Sequence, residues 1–459
     1  MSDLPAVRLF GPGLSDAEEF ALERDREDPL ADFRSRLELP TAGDGKPRVY
    51  LVGNSLGPLP RASRDAVAAV LEGWGREGVD GWFTQPDPWY EIDDRFLVSL
   101  GRLVGAKRHE VAVMNGLTVN LHLLLATFYR PSGARSKILI DAPCFPSDRF
   151  VVETQLRWHG LDPSEHLIEV GPEPGSSFVE EEAFEKVLAE RGEEIALFLL
   201  GGVNFLTGQR FDLERLSAAT RAAGARFGVD LAHGFANVPL RLHDWDVDFA
   251  AWCHYKYGNG GPGAPAGLFV HDRHLTGKPL PRLGGWWGND PDTRFRMQLE
   301  PDFVPRGDAA GWQLSCPSAL AMAPLGPAFE MLVEAGTDRL RKKSIRLTAL
   351  LEWLLHRWLP ATDSEDGWQL LTPSEPGRRG AQLSLQIRRD ARGVRDRMQQ
   401  AGVVADFREP DVVRLAPAPL FNSYHDVWRA ARSIREAMDM SHGIPGATIP
   451  GSRSALDDG

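Results

Sequence analysis

The chain has 459 residues and a formal net charge of −12, and 42% of its residues are hydrophobic. This composition excludes a largely disordered chain and a fibrous repeat, and the length predicts two or three folded domains. The negative charge argues against binding to nucleic acid or to anionic membranes. The apolar runs are far shorter than the roughly 20 residues that span a bilayer, so we expect no membrane-spanning helix.

The amino-terminal 60 residues are predicted to form an arm that joins a later domain, with one short helix over residues 15–24. Residues 61–335 are predicted to be a large domain that opens with an amphipathic helix near 60–75. Short, uniformly apolar strands then alternate with helices, and these strands are predicted at 110–114, 137–141, 166–170, 195–201, 226–230, 247–253 and 267–271. Such alternation predicts an α/β fold with a mostly parallel central sheet covered by helices.

Residues 336–440 are predicted to form a small α+β domain. Two helices, at 317–335 and 337–358, lead into it, and we interpret the basic residues of the second helix as a solvated face. The predicted strands of this domain are 368–372, 381–387, 403–408 and 412–415, and its later helices are 391–401 and 424–439. Residues 441–459 are rich in Gly, Pro and Ser and are predicted to be a flexible tail.

The three cysteines, Cys144, Cys253 and Cys316, lie far apart in the sequence. Their spacing favours neither a disulfide framework nor a cysteine-based zinc site. The first residues lack a basic stretch followed by an apolar one, so we expect no secretory signal and a cytoplasmic location.

One lysine stands in apolar surroundings. Lys256 follows a predicted strand, lies between Tyr255 and Tyr257, and precedes a glycine-rich segment. Lysines avoid burial, so this position favours a functional amine of the kind that forms Schiff bases. The alternative is an ordinary surface lysine at a strand end.

An aspartate ends another apolar strand. Asp230 is predicted at the sheet edge where ligands bind in open α/β folds, and a carboxylate there can keep the pyridine nitrogen of pyridoxal phosphate protonated. The pair Asp230 and His233 also allows a helix cap or a metal ligand, but no third ligand is evident, and we expect no metal. The turn at 115–118, between a strand and a helix, suits a phosphate, although any strand–helix turn offers such a site.

Taken together, several segments resemble the kynureninases, a family of pyridoxal-phosphate enzymes of fold type I. They occur in the family's order at 50–57 (YLVGNSLG), 114–122 (MNGLTVNLH), 145–148 (FPSD), 230–233 (DLAH), 243–250 (HDWDVDFA), 252–257 (WCHYKY), 285–288 (GWWG) and 414–417 (RLAP). No single segment is decisive, but the combination is specific. The resemblance implies the fold of the pyridoxal-phosphate-dependent transferases, with a large and a small domain.

The resemblance also implies roles for individual residues. Lys256 would hold pyridoxal 5'-phosphate covalently, Asp230 would pair with its ring nitrogen, and Tyr255 would shuttle protons. The other implied cofactor-binding residues are Leu117, Thr118, Phe145, Asp148, His233, Trp286 and Cys316, of which Asp148 would lie close enough to the ring to take part in catalysis. The implied substrate-binding residues are Ser55, Trp82 and Arg414, of which Arg414 would bind the α-carboxylate.

Family members are homodimers with shared active sites, so Trp286 and the segment near Cys316 would come from the partner subunit. Three positions depart from the family pattern: Gly201 stands where a serine is usual, Cys316 replaces an asparagine or threonine, and Pro58 alters the run after Gly57. These departures leave the lysine and aspartate chemistry intact, but they put the fine positioning of cofactor and substrate in doubt.

The implied reaction is the hydrolytic cleavage of the Cβ–Cγ bond of L-kynurenine, or of its 3-hydroxy form, to an anthranilate and L-alanine in tryptophan catabolism. One alternative is a related pyridoxal-phosphate β-lyase, desulfurase or aminotransferase that acts on another amino acid. Another is a cofactor-binding protein without catalysis, against which Lys256 and Arg414 argue. Trp82 resembles the kynurenine-preferring members and Cys316 is a weak hydrogen-bonding partner, so we expect a preference for unmodified kynurenine.

Overall fold

The amino-terminal arm carries two short helices and three two-residue strands. The computed structural model describes residues 3–43, 45–84, 88–276, 280–299, 302–359 and 367–441. The arm contains α1 (Pro5–Phe10), α2 (Glu18–Arg26), β1 (Leu37–Glu38), β2 (Val49–Tyr50) and β3 (Leu59–Pro60). The expectation of a single arm helix was wrong, because the arm also contains α1. This helix is only six residues long and has no clear apolar period, so hydrophobic periodicity does not predict it.

The middle of the chain alternates strands and helices as predicted. Its elements are α3 (Ala62–Glu77), α4 (Leu97–Val104), β4 (Val111–Met114), α5 (Leu117–Phe128), β5 (Lys137–Asp141), α6 (Pro146–Trp158), α7 (Pro163–His166), β6 (Leu167–Val170), α8 (Glu181–Arg191), β7 (Ile195–Gly201), α9 (Leu213–Ala222), β8 (Arg226–Asp230), β9 (Phe249–Trp252), β10 (Ala266–Val270), α10 (Ala319–Met322) and α11 (Leu325–Ala335). The helix predicted over 317–335 is therefore two helices, with Pro324 between them.

Seven of these strands form one sheet in the order β4-β10-β9-β8-β7-β5-β6. Only β10 runs antiparallel to its neighbours, and the remaining pairs are parallel. Side chains of β7 alternate between two hydrophobic cores, with Phe198 and Leu200 on one face and Leu197 and Leu199 on the other. Burial of both faces explains why these strands are apolar throughout. The prediction of a mostly parallel, helix-covered sheet is confirmed.

The carboxyl-terminal part contains α12 (Thr337–Trp358), β11 (Trp368–Leu370), β12 (Leu383–Ile387), α13 (Ala391–Gln400), β13 (Val403–Val404), β14 (Asp406–Arg408), β15 (Val412–Leu415) and α14 (Tyr424–Ser441). Four of its strands form an antiparallel sheet in the order β11-β12-β15-β14. The single strand predicted over 403–408 was wrong, because β13 leaves this sheet and pairs in parallel with β2 of the arm.

The arm and the carboxyl-terminal part share one hydrophobic core. Phe20 and Val49 of the arm are buried in the same cluster as Leu351 of α12 and Ile434 of α14. The helix α12 does not present a fully solvated basic face, since Lys343 is buried and its Nζ lies 2.7 Å from Asp28 Oδ2 in the arm.

The boundaries predicted at residues 60, 335 and 440 stay predictions, and the predicted tail lies outside the described residues apart from Ser441. Within the part of the chain that the structure describes, no helix is both long and apolar enough to cross a bilayer.

Candidate active site

A cleft opens where the parallel strands end. Asp141 ends β5, Gly201 ends β7 and Asp230 ends β8, and all three line this cleft together with Lys256. Its remaining lining residues are Phe145, Asp148, Val203, Asn204, Phe205, Ala232 and His233. The carboxyl edge of a parallel sheet is the usual place for a ligand in this class of fold.

The loop that carries Lys256 is held by a close approach of the arm. The Gly57 N–H donates to the Tyr255 carbonyl oxygen over 2.8 Å. A Cβ atom added at Gly57 would lie 2.5 Å from the Lys256 carbonyl oxygen, so only glycine fits here. The arm therefore fixes the backbone from which the lysine side chain reaches into the cleft.

The Lys256 amine is suited to act as a nucleophile. Burial lowers the pKa of Lys256 below its ordinary value of 10.5. Its Nζ lies 5.9 Å from the centroid of the Phe145 ring, so the ring borders the space beside the amine. A lower pKa increases the neutral fraction, which is the form that attacks a carbonyl carbon.

Three carboxyl groups crowd the cleft. Burial raises the pKa of Asp148 well above its ordinary value, and the neighbouring Asp230 carboxylate raises it further. Burial also raises the pKa of Asp141 to about 7, although Asn204 Nδ2 donates to its carboxylate over 3.0 Å. Asp230 Oδ1 accepts the Ala232 N–H at 2.6 Å. Like charges in a dry cleft repel, so Asp141 and Asp148 tend to keep protons.

His233 lies beside these groups and is neutral. Burial lowers the pKa of His233 well below 6.5, and the positive charges of Lys256 and Arg414 lower it further. A neutral imidazole offers one donor and one acceptor to a bound ring without adding charge.

Arg414 is fully buried on β15 and pairs with Asp406 of the adjacent strand β14. Its Nη1 donates to the Phe205 carbonyl oxygen at the cleft wall over 2.5 Å. The Asp406 carboxylate also accepts a hydrogen bond from Ser55 Oγ at 3.3 Å. Among the described residues, Arg414 Nε has no hydrogen-bond partner. Ser55 and Arg414, both predicted to bind substrate, therefore meet through Asp406 next to the cleft.

Two helix amino termini converge near the cleft. Neither α5 nor α6 has a side-chain cap, which leaves backbone N–H groups of their first turns without intrahelical acceptors. Thr118 Oγ1 lies 3.0 Å from Ser147 Oγ, so the two helix starts share one small polar surface. Free N–H groups and two hydroxyls suit a phosphate.

Trp82, Trp286 and Cys316 are not among the described residues that line the cleft of this chain. The two tryptophans instead flank Trp287, with ring centroids 6.2 and 5.0 Å from it. Cys316 is half-buried and unpaired. The predicted contribution of Trp286 and Cys316 to the site of a partner subunit stays a prediction, and so does the predicted place of Trp82 beside the substrate.

The sequence interpretation missed Asp141, Asn204, Ser147 and Asp406. Asp141 could have been found, because it ends an apolar strand just as Asp230 does. Asp406 and Asn204 act through tertiary contacts and carry no local signal.

Comparisons with known proteins define the family. Residues 340–434 match the family described as "Kynureninase C-terminal domain". Kynureninases from Koribacter versatilis and Salinispora tropica are 46% and 47% identical to the chain, over 90% and 92% of it and 96% and 98% of their own lengths. A kynureninase from Xanthomonas campestris pv. campestris is 48% identical over 89% of the chain and 95% of its own length. The chain belongs to the kynureninase family.

Solved structures with much lower identity share the fold. The cysteine desulfurase CsdA of Escherichia coli superimposes with a TM-score of 0.71 at 16% identity, covering 90% of this chain and 99% of that one. A variant of C-DES with glycine covalently linked to pyridoxal phosphate gives 0.70 at 17% identity, over 84% and 96% of the two chains. The prediction of a fold-type I pyridoxal-phosphate enzyme is confirmed.

The cleft fits pyridoxal phosphate on its own chemistry. A buried amine with a lowered pKa, a carboxylate at a strand end and an aromatic ring lie together at Lys256, Asp230 and Phe145. Asp148 Oδ1 is buried without a hydrogen-bond partner among the described residues, as expected for a group that faces a ligand. A Cβ at Gly201 would meet only the Val203 carbonyl oxygen at 3.9 Å, so the usual serine would fit and the glycine leaves that space open.

We predict that Lys256 carries the cofactor. The purified protein should be yellow, and borohydride reduction should fix the cofactor to the peptide that contains Lys256. The matched control is Lys343, a buried lysine that is paired with Asp28. Lys256→Arg should abolish the label and Lys343→Arg should keep it. A label on another lysine of the cofactor-bound protein would show this assignment to be wrong.

Proposed function

We propose that the protein hydrolyses the Cβ–Cγ bond of L-kynurenine to anthranilate and L-alanine. The observation that carries the proposal is 46–48% identity to several kynureninases over about nine-tenths of the chain. The cleft supports it, because a buried lysine, a strand-end carboxylate and a buried arginine are what cleavage of an amino acid on pyridoxal phosphate requires. Tryptophan catabolism is the metabolic context that the family implies.

Each residue has a chemical task in this proposal. When bound, pyridoxal phosphate supplies an electron sink for the negative charge that develops on the substrate. Asp230 holds the proton on the ring nitrogen, and the neutral Lys256 Nζ removes the α-proton. Burial raises the pKa of Tyr255, so its phenol keeps its proton at neutral pH and can give it to the γ-carbonyl oxygen. Asp148 Oδ1, which is buried without a hydrogen-bond partner among the described residues, would face the bound cofactor.

The substrate carboxylate is assigned to Arg414. The guanidinium is buried, and Nε has no described hydrogen-bond partner, so a planar carboxylate can take the open side of the fork. Ser55 reaches the same place from the arm through Asp406. This arrangement fixes the α-carbon relative to the Lys256 amine, which is the positioning that raises the rate.

We also propose a homodimer with shared active sites. Phe83 and Phe295 are 55% and 58% exposed, and both rings pack against Tyr90, which in turn packs against Trp287. An exposed apolar surface of this kind favours association. Trp286 and Cys316 would then complete the partner's cleft. A cytoplasmic location is proposed as well, supported by three cysteines that are all unpaired.

The proposed function is tested by product analysis. Incubation of the cofactor-bound protein with L-kynurenine should give anthranilate and alanine in equal amounts, measured by mass spectrometry. Pyruvate and ammonia, a persulfide from cysteine, or a transaminated keto acid would instead indicate the related β-lyase, desulfurase or aminotransferase. Bound cofactor with no product would indicate a protein without catalysis.

Replacing Arg414 by lysine should impair turnover. Arg414→Lys keeps the charge but loses the planar pair of donors, so we expect kcat/KM for kynurenine to fall about tenfold or more. The matched control is Arg392→Lys, an exposed arginine of the same part of the chain, which should retain full activity. Wild-type kcat/KM in Arg414→Lys would mean that another group binds the carboxylate.

Substrate selectivity should favour unmodified kynurenine. Trp82 offers a flat apolar wall and Cys316 a weak hydrogen-bonding partner, so a buried 3-hydroxyl costs about 1–3 kcal/mol, or about ten- to a hundredfold in kcat/KM. Both substrates should be compared under one set of conditions. Trp82→His should lower the ratio of kcat/KM for kynurenine to kcat/KM for 3-hydroxykynurenine. Trp74→His, at a surface tryptophan that is 60% exposed, should leave this ratio unchanged. A clear preference of the wild type for 3-hydroxykynurenine would contradict this prediction.

A further inference from the structure

The strand β12 has an apolar and a polar face. The side chains of Leu383 and Leu385 are buried in the hydrophobic core that the carboxyl-terminal part shares with the arm. Because side chains alternate along a strand, Ser384 points to the opposite face, and so does Gln382, which directly precedes β12. Ser384 lies opposite Arg414 in the register of the sheet. The polar face of β12 is therefore the face that carries the arginine assigned to the substrate carboxylate.

Gln382 is buried and uses both ends of its carboxamide. Its Nε2 lies 3.1 Å from the Phe205 carbonyl oxygen, 3.2 Å from the Leu206 carbonyl oxygen and 2.9 Å from Ser384 Oγ. Backbone carbonyl oxygens only accept hydrogen bonds, so the amide nitrogen faces them and the amide oxygen faces the arm. That oxygen accepts a hydrogen bond from Asn54 Nδ2 at 2.7 Å. One side chain thus joins the arm, the loop that follows β7 and the start of β12.

The Phe205 carbonyl oxygen is shared between Gln382 and Arg414. Arg414 Nη1 donates to it over 2.5 Å, so the guanidinium and the Gln382 carboxamide bind the same acceptor. Phe205 itself lines the cleft, and the centroid of its ring lies 5.4 Å from that of Phe145. The position of this one oxygen therefore determines where the guanidinium lies relative to the cleft.

The loop is also held from the side of the large sheet, by Asn204. Its Nδ2 donates to Asp141 Oδ2, and its Oδ1 accepts the Leu206 N–H, each over 3.0 Å. These bonds do not involve Gln382. Loss of the Gln382 carboxamide should therefore shift the carbonyl groups that face Arg414 without unfolding the loop.

We propose that Gln382 is a positioning residue for the carboxylate of the substrate. Through the Phe205 carbonyl oxygen it orients Arg414, and through Asn54 it holds the arm segment in which Ser55 is the next residue. Gln382 is not among the described residues that line the cleft, so it acts through these neighbours. The inference rests on the proposed function, because it takes Arg414 as the group that binds the carboxylate.

The test compares two small molecules that differ by a carboxylate. L-Alanine and ethylamine both carry an amine for the cofactor, but only alanine can use Arg414. Their Kd values are measured from the change in cofactor absorbance of the cofactor-bound protein, so no turnover of kynurenine is needed. Gln382→Leu should weaken alanine binding about tenfold and change ethylamine binding less than about twofold. A purely structural defect would weaken the binding of both molecules alike.

The matched control is Gln386→Leu. Gln386 lies on the same strand and the same face, and its Nε2 donates to Asp411 Oδ2 at 2.9 Å, just before β15. This variant should bind both molecules as the wild type does. A second variant, Gln382→Asn, keeps the position polar and serves if Gln382→Leu does not fold. Its carboxamide is one methylene shorter and cannot span from Asn54 to Phe205, so it should show the same selective loss.

Arg414→Lys distinguishes a failure of this proposal from a failure of the proposed function. If Arg414→Lys weakens alanine binding selectively but both Gln382 variants keep the wild-type ratio of the two Kd values, the positioning role is overturned and the carboxylate assignment stands. Equal weakening of alanine and ethylamine in the Gln382 variants would also overturn it. If Arg414→Lys itself keeps the wild-type ratio, the assignment of the carboxylate to Arg414 is wrong, and the role of Gln382 fails with it.

Discussion

The site depends on one close backbone approach, between Gly57 of the arm and the segment that carries Lys256. The hydrogen bond from the Gly57 N–H to the Tyr255 carbonyl oxygen ties the loop that follows β9 to the arm. The arm is in turn anchored to the carboxyl-terminal part of the chain through β2 and β13. The arm therefore connects the loop of Lys256 to the part of the chain that carries Arg414. The close approach of the arm to this loop is possible because Gly57 has no side chain.

Within the cleft, burial and charge repulsion change the pKa values of the ionisable side chains. Asp141, Asp148 and Asp230 cannot all ionise at low cost in a space so shielded from water. Burial raises the pKa of Asp141 and of Asp148, so both tend to be neutral hydrogen-bonding groups. The same burial lowers the pKa of Lys256 and of His233. Burial therefore shifts each of these four groups towards its uncharged form.

Much of the fold could be predicted from the sequence, since strands buried on both faces are apolar throughout. Strands β5, β7 and β8 were predicted to the residue. The predictions failed where the interacting partner is distant in sequence. The segment 403–408 divides between two sheets. Lys343 is buried because it forms an ion pair with Asp28 of the arm. Secondary-structure propensity and hydrophobic periodicity are local properties, so the residues around 403–408 and Lys343 could not reveal these distant contacts.

The candidate site could likewise be predicted only where its residues carry a local signal in the sequence. Lys256 and Asp230 are recognisable because each breaks an apolar pattern at a strand end, and the motifs of the family locate Phe145 and Arg414. Asp406 could not be found in this way, since its importance comes from a neighbouring strand and from Ser55 in the arm.

The pairing of Arg414 with Asp406 has a consequence for the stability of the four-stranded sheet. A guanidinium with no exposed surface would be costly to bury alone, and the Asp406 carboxylate on the adjacent strand offsets part of that cost. Removing the Asp406 carboxylate alone would leave an uncompensated charge inside the protein, which destabilises a fold more than replacing both partners does. Loss of this aspartate would therefore weaken the sheet as well as the surroundings of the arginine.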